Sequence, residues 1–449
     1  MRRARSLVLR IFLSLLIFFA ALFFALLAPV NTDLPREQPF YESMMHRIDS
    51  AMSLFASSDT SVIRMGFAKA SITPSRQVAT AGYVKRKGAR FTSVRDSVFV
   101  RVLTLRKETT QVSVVSFDML IVPPLLFHRL RHELSSTSFP VESVFFGATH
   151  THNSIGQWDD HLVGEIYAGE FDGQLMDFLV EQTKEALLNS VANLRKAKLR
   201  YSRVPVKEAV RNRLIQDGPV DSLLHLLVAE RDDGSKVALT SYPAHATCLS
   251  STDLRLSADY PGELVRQLES NGYAFAMFLA GAVGSHAPAP MPDGDEKIAF
   301  MGNTLFNSVR QTVTEPLDGK RLFMHRIPML LGQQQIRVST NWRVRPWVSS
   351  RLLGDPNAAF TVLQIGNLVI IGTPCDFSGM LTPQLYARAQ ELGLHLLVTS
   401  FNGGYIGYIT PDKYYTRDAY ETQIMNWYGP GNGSYLSDCI IRIINQIKN

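Results

Sequence analysis

The amino-acid sequence predicts an α/β fold in which a mixed β-sheet system with flanking helices forms a single domain, preceded by an N-terminal signal-anchor helix. Apolar residues make up 46% of the 449-residue chain and charged residues 19%, as in folded globular proteins. Strand and helix patterns alternate along the body of the chain, which favours an α/β arrangement. A long apolar run near the N-terminus indicates a segment that can cross a bilayer.

The N-terminal segment combines basic residues with this apolar run. Four arginines among the first ten residues precede residues 11–28, which carry no charge. As a helix this run covers about 27 Å, close to the hydrocarbon thickness of a bilayer. Pro29 directly after Ala28 makes a poor cleavage site, so an uncleaved anchor is favoured over a removed signal peptide. The positive-inside rule then predicts an extracytoplasmic body, periplasmic or extracellular, that is membrane-anchored or, after cleavage, secreted.

We divide the chain into residues 1–30 as signal anchor or signal peptide, 31–62 as a linker with a helical segment, and 63–449 as one folded domain. Runs of β-branched and aromatic residues predict strands, and apolar residues at helical spacing predict helices. The predicted strands are 79–83, 98–105, 111–117, 141–146, 223–230, 237–243, 275–279, 361–372 and 396–400. The predicted helices are 41–57, 125–134, 170–194, 261–270, 297–313 and 379–391.

The charge distribution excludes a nucleic-acid-binding role for the body. The formal net charge is +6, and four of these charges lie on the arginines of the first ten residues. The remaining surplus is too small for a nucleic-acid footprint. The basic stretch GYVKRKGARF, residues 82–91, is expected to be a solvated loop. Three cysteines without CxxC spacing exclude a disulfide-rich scaffold.

Two histidines follow a predicted strand in VFFGATHTHNSIGQW, residues 144–158. In an extended chain the side chains at positions i and i+2 point the same way, so we expect His150 and His152 to share one face. Imidazole is the commonest metal ligand of proteins near neutral pH. The pair therefore indicates part of a metal site, whose other ligands must come from elsewhere in the chain.

Three further strand ends carry polar residues of ligand type. His245, Asp376 and the tyrosines Tyr405 and Tyr408 each stand within a few residues after a predicted strand. Each has an ordinary alternative, since a lone histidine is often only a buried polar residue, an acid before a helix is often an N-cap, and tyrosine usually packs. Together, two histidines, one carboxylate and a phenolic oxygen would hold a zinc ion and leave a position for water.

At these motifs the chain resembles the neutral and alkaline, non-lysosomal ceramidase family. The resemblance runs through MGFAKASITP, VRDSVFVRVLTL, GATHTHNSIG, VRNRLIQDGPVDSLLHLL, YPAHATCLSSTDLRLSADYPG, TPCDFSGM and the segment that begins NGGYIGYITPDKYY. It implies a zinc-dependent hydrolase that cleaves the amide bond of ceramide to a sphingoid base and a fatty acid. Because the chain ends shortly after WYGPGNG, we expect it to lack the immunoglobulin-like C-terminal domain of full-length ceramidases.

The resemblance implies a Zn²⁺ cofactor whose ligands are His150, His245, Tyr408 and, where the family has glutamate, Asp376. His152 matches a close neighbour of the metal and is the expected general acid/base. The expected oxyanion donors are Arg213, which with Asn212 matches a pair beside the substrate, and Tyr405.

Besides the missing C-terminal domain, the resemblance leaves two departures and two open roles. Asp376 is one methylene shorter than the family's glutamate, and Ser285 is only the nearest equivalent of an active-site serine, because Gly284, Ser285 and His286 replace Ser-Pro-Asn. Asp118 and Asp259 either orient a ligand histidine or simply cap a strand end and a helix start.

The sequence thus predicts a zinc-dependent amide hydrolase that takes a lipid-like N-acyl substrate, ceramide, and is attached to a membrane through its N-terminal helix. One alternative is a zinc amidase of the same fold acting on another N-acylated substrate, since a scaffold and a metal do not fix the acyl chain. The other is a non-catalytic membrane-anchored relative. A long apolar groove favours ceramide, a short polar pocket favours another substrate, and low metal content favours the non-catalytic relative.

Overall fold

The computed structural model of the chain describes residues 2–53, 62–135, 137 and 139–447. Its helices are α1 (Arg2–Leu26), α2 (Pro39–Met52), α3 (Pro124–Leu134), α4 (Leu162–Ala168), α5 (Gly173–Ala192), α6 (Asp259–Ser270), α7 (Asp295–Gln311), α8 (Pro346–Leu353), α9 (Thr382–Glu391) and α10 (Asn432–Ile447). The strands of its two main sheets are β1 (Arg64–Ser71), β2 (Phe99–Lys107), β3 (Thr110–Phe117), β4 (Val144–Ala148), β5 (Arg195–Pro205), β6 (Leu223–Arg231), β7 (Lys236–Tyr242), β8 (Phe275–Ala280), β9 (Glu315–Pro316), β10 (Leu322–Pro328), β11 (Ala359–Ile365), β12 (Leu368–Gly372) and β13 (His395–Thr399). Shorter strands are Leu27–Pro29, Thr80–Ala81, Ser93–Val94, Ser154–Ile155, Val210–Asn212, Arg255–Leu256, His286–Pro288, Trp342–Val344, Asp376–Phe377 and Tyr408–Ile409.

The N-terminal helix α1 lies outside the core and joins the body at its C-terminal end. Its segment Ser6–Leu26 is apolar and long enough to cross a bilayer, so by length and composition it is a candidate signal or anchor. Directly after the helix, Leu27–Pro29 pairs antiparallel with Trp342–Val344. The ring of Phe23 packs edge-on against Trp342, with ring centroids 4.6 Å apart.

The helical segment predicted within 31–62 is present as α2, and it is part of the core. Met44 and Ile48 are fully buried against α10 and the smaller sheet. Arg442 of α10 donates from Nε to Asp49 Oδ1 at 2.6 Å. The helix was expected to continue to residue 57, but it ends at Met52, and residues 54–61 lie outside the described residues.

Two sheets stack face to face between layers of helices. The larger has the strand order β8-β7-β6-β5-β1-β2-β3-β4, with β9 beside β5, and the smaller has the order β10-β11-β12-β13. Their inner faces share one apolar core, to which β3 contributes Val114, β7 Leu239 and β12 Ile370. Alternate residues of each strand face outward, because side chains of a strand alternate between the two faces of the sheet. The outer faces are covered by α3 and α5, by α6 and α7, and by α2, α9 and α10.

The predicted mixed β-sheet system is confirmed, and antiparallel pairs outnumber parallel ones within it. The parallel pairs of the two sheets are β3–β4, β7–β8 and β12–β13. The single strand predicted at 361–372 is wrong, because Gly366 adopts a φ of +60° and turns the chain into the hairpin β11–β12. The strands β1, β5 and β10 and the helices α4, α8 and α10 are not among the predicted elements.

Because α2 is buried, truncation of its core side chains should lower the free energy of unfolding strongly. Ile48→Ala should lower the free energy of unfolding by about 2–5 kcal/mol, because the fully buried side chain leaves a cavity. The matched control is Ser50→Ala on the exposed face of the same helix, which should change it by less than about 0.5 kcal/mol. Denaturant unfolding of the full chain in detergent measures both. Equal effects of the two substitutions would contradict the packing of α2 into the core.

Candidate metal centre

The loops that follow four strands meet above one edge of the stacked sheets. These strands are β4, β7, β12 and β13, each of which belongs to a parallel pair of its sheet. Short backbone ladders join the loops beyond the sheets, because Thr151 pairs with Ala246 and Asp376–Phe377 pairs with Tyr408–Ile409. The ladders hold the polar side chains of these loops in fixed positions.

His150 and His152 converge through a turn and not through an extended strand. The strand β4 ends at Ala148, and His150 has a φ of +61°, a left-handed conformation that is uncommon for histidine. The two side chains do come together, with their Nε2 atoms 3.2 Å apart. The turn, and not the alternation of side chains along an extended strand, is the reason. The ring of Phe401, itself at a φ of +65°, stacks on His150 with ring centroids 4.1 Å apart.

Backbone carbonyls orient two of the imidazoles. The Nδ1 atom of His150 lies 2.6 Å from the carbonyl oxygen of Leu120, and the Nδ1 atom of His245 lies 2.8 Å from that of His286. A carbonyl can only accept, so each Nδ1 carries the proton and donates it. Each Nε2 therefore presents its lone pair to the centre, as a metal-ligating histidine does.

Asp376 places a carboxylate between the two imidazoles. Its Oδ1 lies 3.2 Å from His245 Nε2 and 3.5 Å from His150 Nε2, and its side chain is fully buried. The hydroxyl of Tyr405 donates to Oδ2 at 2.7 Å. Within the part of the chain that the structure describes, Oδ1 has no hydrogen-bond partner.

Tyr408 and Arg213 complete the group. The hydroxyl oxygen of Tyr408 lies 3.0 Å from His245 Nε2, and Arg213 Nη2 donates to this oxygen at 3.0 Å. Glu421 lies on the other side of the guanidinium, with its Oε1 2.6 Å from Arg213 Nε. Burial and the nearby Asp376 carboxylate raise the pKa of Tyr408 well above its usual range, and the guanidinium of Arg213 offsets only part of this rise.

The protonation states of these groups fit a bound cation. Burial lowers the pKa of His150 to about 3 and that of His245 well below its usual range, so both imidazoles are neutral at pH 7. Burial raises the pKa of the Asp376 carboxyl. A buried carboxylate without a compensating cation is costly. An ion held by two imidazole nitrogens, a carboxylate oxygen and a phenolic oxygen supplies that charge, and the residues present therefore fit a divalent metal.

The basic stretch 82–91 is not simply a solvated loop, because Arg86 is buried and clamps the histidine loop. Its guanidinium donates from Nη1 to the carbonyl oxygen of His152 at 2.6 Å and from Nη2 to Asn153 Oδ1 at 2.9 Å. It also donates to the carbonyl oxygens of Ser250, Ser251 and Asp253. Sequence reasoning missed this residue, since nothing in a run of basic residues indicates which one turns inward.

Among the described residues, the hydroxyl of Ser285 forms no hydrogen bond to His150, His152 or His245. Its hydroxyl lies 2.6 Å from the hydroxyl of Ser378, and both side chains are fully buried. The preceding residue must be glycine, because a Cβ on Gly284 would lie 2.2 Å from the carbonyl oxygen of Asp376. The departure from the family's loop thus allows a close backbone approach, and these contacts do not support the predicted catalytic role of Ser285.

Three other polar residues have structural contacts. Asp118 Oδ2 accepts from the backbone N–H of Phe99 at 2.9 Å. Asp259 Oδ2 accepts from the N–H of Cys248 at 2.9 Å, in the loop that carries His245. Asn212 caps its own turn by accepting from the backbone N–H groups of the second and third residues after it. None of these bonds reaches a ligand imidazole.

Two cavities adjoin the centre, and His152, Tyr408 and Tyr420 line both. The first is narrow, about 90 Å³, and mostly apolar, with walls formed by Leu120, Ile121, Pro124, Trp158, Val163, Leu353, Met425 and Trp427. The second is larger, about 560 Å³, and we call it the polar cavity because its walls include the charged and hydroxyl side chains of Lys85, Arg211, Arg213, Ser250, Ser251 and Lys297. Tyr420 and Glu421 belong to the π-helical turn Tyr420–Ile424.

A second group of ligand-type residues lies in the loop before α4. Asp159, Asp160 and His161 are close enough to surround an ion, but the side chains of Asp160 and His161 are 53% and 41% exposed. His161 Nδ1 lies 3.0 Å from Asp159 Oδ1, so the group is internally bonded. It provides a natural comparison for the buried centre.

The fold and the site together define an α/β protein with a buried candidate metal centre next to two adjoining cavities. Residues 63–283 match the family model for neutral/alkaline non-lysosomal ceramidase, N-terminal. Among solved structures, the chain is similar to neutral ceramidase from Pseudomonas aeruginosa, with a TM-score of 0.72 and 17% identity over 87% of this chain and 75% of that chain. A second similar structure is a ceramidase complexed with C2, with a TM-score of 0.71 and 17% identity over 86% and 75% of the two chains. A comparison with curated proteins finds no match.

The family-model match covers just under half of the chain and, with the similar fold, supports a ceramidase-like hydrolase of the neutral/alkaline non-lysosomal ceramidase family. The matched segment contains His150, His152 and His245 but ends before Asp376 and Tyr408. The structure nevertheless brings all five side chains together.

The buried centre predicts that His245→Ala removes bound metal. A purified chain should carry close to one divalent metal ion, and the variant should bind it more than about 100-fold more weakly, because a direct ligand is lost. His161→Ala, in the exposed group, should retain the wild-type metal content. Elemental analysis after dialysis against a weak chelator measures both. If His161→Ala lost the metal and His245→Ala kept it, the ion would bind at the exposed group, and the assignment to the buried centre would be wrong.

Proposed function

We propose that this chain is a zinc-dependent amide hydrolase that cleaves the N-acyl bond of a ceramide-type lipid amide, giving a fatty acid and an amine. The observation that carries the proposal is Asp376 Oδ1, which has no hydrogen-bond partner among the described residues and lies between the Nε2 atoms of His150 and His245, beside an apolar cavity. Oxygen from water joins the acyl carbon, the C–N bond breaks, and the released nitrogen takes up a proton.

The donor set supports zinc as the metal. Two imidazole nitrogens, one carboxylate and one phenolic oxygen are ligands that zinc accepts, and a catalytic site keeps one position for water. A zinc ion bound there lowers the pKa of its water towards ~7 and polarises a carbonyl group. The ligands would be His150, His245, Asp376 and Tyr408, with Tyr405 fixing the orientation of the carboxylate.

His152 is placed to move protons. It lines both cavities, its Nε2 is 3.2 Å from His150 Nε2, and its Nδ1 has no hydrogen-bond partner within the described residues. Burial lowers the pKa of His152 well below its usual range, so the imidazole is neutral at pH 7 and can accept a proton. It takes the proton of the attacking water and passes it to the leaving nitrogen.

Arg213 supplies positive charge where negative charge develops on the acyl oxygen. It lines the polar cavity beside Tyr408, and burial together with the anionic neighbour Glu421 keeps it in place. A preorganised donor of this kind contributes about 2.7–4 kcal/mol to transition-state stabilisation in known cases.

A second candidate function is hydrolysis of another N-acylated substrate, and the large polar cavity favours it. A ceramide carries alkyl chains on both halves, whereas here the larger of the two cavities is lined by four cationic side chains. In either case α1 would hold the body at the external face of a membrane, or would be removed on secretion.

The experiment that tests the proposal is release of fatty acid from a short-chain fluorescent ceramide by the purified chain. Cleavage that a chelator abolishes and added zinc restores is the expected result. Zinc retained without cleavage of ceramide would favour the other N-acylated substrate. A chain that neither retains zinc nor cleaves any N-acyl amide would be a non-catalytic relative, and the proposal would fail.

The assigned roles predict that His152→Ala separates activity from metal binding. The variant should lose about 10²–10⁴-fold in kcat, because proton transfer is lost, while its zinc content stays at the wild-type level. His132→Ala, a side chain that is 87% exposed, is the control and should leave kcat unchanged. Parallel assays of turnover and zinc per chain measure the two effects. Loss of zinc from His152→Ala would make this residue a ligand and not a proton carrier.

A further inference from the structure

We propose that the amine half of the substrate carries an anionic group, a carboxylate or a phosphate, and that Lys85 and Arg211 bind it in the polar cavity. The inference rests on the proposed amide hydrolysis, and between its two candidate substrates it favours the other N-acylated amide over ceramide, whose amine half carries no anionic group.

The centre lies where the two cavities meet, so a bound amide has one half in each cavity. His152 and Tyr408 line both cavities, so an amide carbonyl held beside them has one half on each side. Apolar walls favour the acyl chain, because burial removes its surface from water. The amine half then enters the polar cavity.

The polar cavity carries an excess of positive charge. Lys297 forms an ion pair with Asp293 at 3.1 Å, and Arg213 is compensated by Glu421. Among the residues that the structure describes, Lys85 and Arg211 form no ion pair, and both line the cavity. Two positive charges are therefore available to a ligand.

Lys85 and Arg211 both belong to backbone segments that tertiary contacts hold in place. Lys85 lies between Tyr83, whose hydroxyl donates to the carbonyl oxygen of Leu249 at 2.8 Å, and the buried clamp Arg86. Arg211 belongs to a short strand and pairs with Ala287. A ligand consequently pays little for ordering the backbone around it.

The hydroxyl groups of the same cavity suit oxyanions. Ser250 and Ser251 line the wall beside Lys85, and Thr247 follows His245 by two residues. Carboxylate and phosphate oxygens accept several charge-assisted hydrogen bonds at once. An alkyl chain in the same place would desolvate these groups without replacing their hydrogen bonds to water, which is unfavourable.

The test compares three amides that share a hexanoyl chain and stay in aqueous solution. They are N-hexanoylglycine, the phosphate ester of N-hexanoylethanolamine, and uncharged N-hexanoylethanolamine, with short-chain ceramide as a fourth substrate. We expect kcat/KM for at least one anionic amide to exceed that of the uncharged one by about tenfold, the effect of two exposed charges. The preference should shrink as ionic strength rises from ~0.05 to ~0.5 M, because salt screens the charges.

The double variant Lys85→Ala/Arg211→Ala should abolish the preference while changing kcat/KM for the uncharged amide by less than about twofold, since neither residue contacts the centre. Lys87→Ala is the matched control, because this lysine lies on the same turn and does not line the cavity. It should keep the full preference and its salt dependence.

The outcomes separate this inference from the proposed function. Cleavage of ceramide without preference for either anionic amide, or a preference that survives the double variant, would overturn the inference and leave amide hydrolysis standing. Failure to cleave any of the four amides would overturn both. A preference for the carboxylate alone, or for the phosphate alone, supports the inference and identifies the anion.

Discussion

The buried carboxylate of Asp376 requires a positive charge beside it, and the rest of the centre is arranged to hold that charge. It is fully buried, one of its oxygens accepts from Tyr405, and the other faces two imidazole nitrogens without a partner in the described chain. Burial of such a group is unfavourable unless a cation is present. The carbonyl oxygens that fix the tautomers of His150 and His245 leave both Nε2 lone pairs facing the centre, as in metal-ligating histidines.

The sheets provide the positions and the loops provide the chemistry. The strands β4, β7, β12 and β13 each belong to a parallel pair, and the loops after them bring together residues that are far apart in sequence. Ladders beyond the sheets then fix the loops, as between Asp376 and Tyr408. Aspartate in place of the family's longer glutamate is compatible with this arrangement, because Gly284 lets its own loop approach the backbone of Asp376 closely.

The sequence could predict the ligand-type residues because each follows an apolar strand, and strand ends meet in this class of fold. It predicted the helices α5, α6 and α9 within a few residues for the same reason, a clear period in the apolar pattern. It could not predict the inward turn of Arg86, the pairing of Glu421 with Arg213, or the role of the Leu120 carbonyl. Those contacts depend on tertiary packing, and a backbone carbonyl has no signature in sequence.

The central claim is that the four side chains bind zinc through nitrogen and oxygen alone. The three cysteines are buried and unbridged, and Cys375 directly precedes Asp376, so sulfur ligation is the direct rival. Zinc-edge X-ray absorption of the purified chain distinguishes them. The account predicts nitrogen and oxygen neighbours at about 2.0–2.2 Å, with a histidine signature from two imidazoles. A sulfur shell near ~2.3 Å, or a chain without zinc, would contradict it.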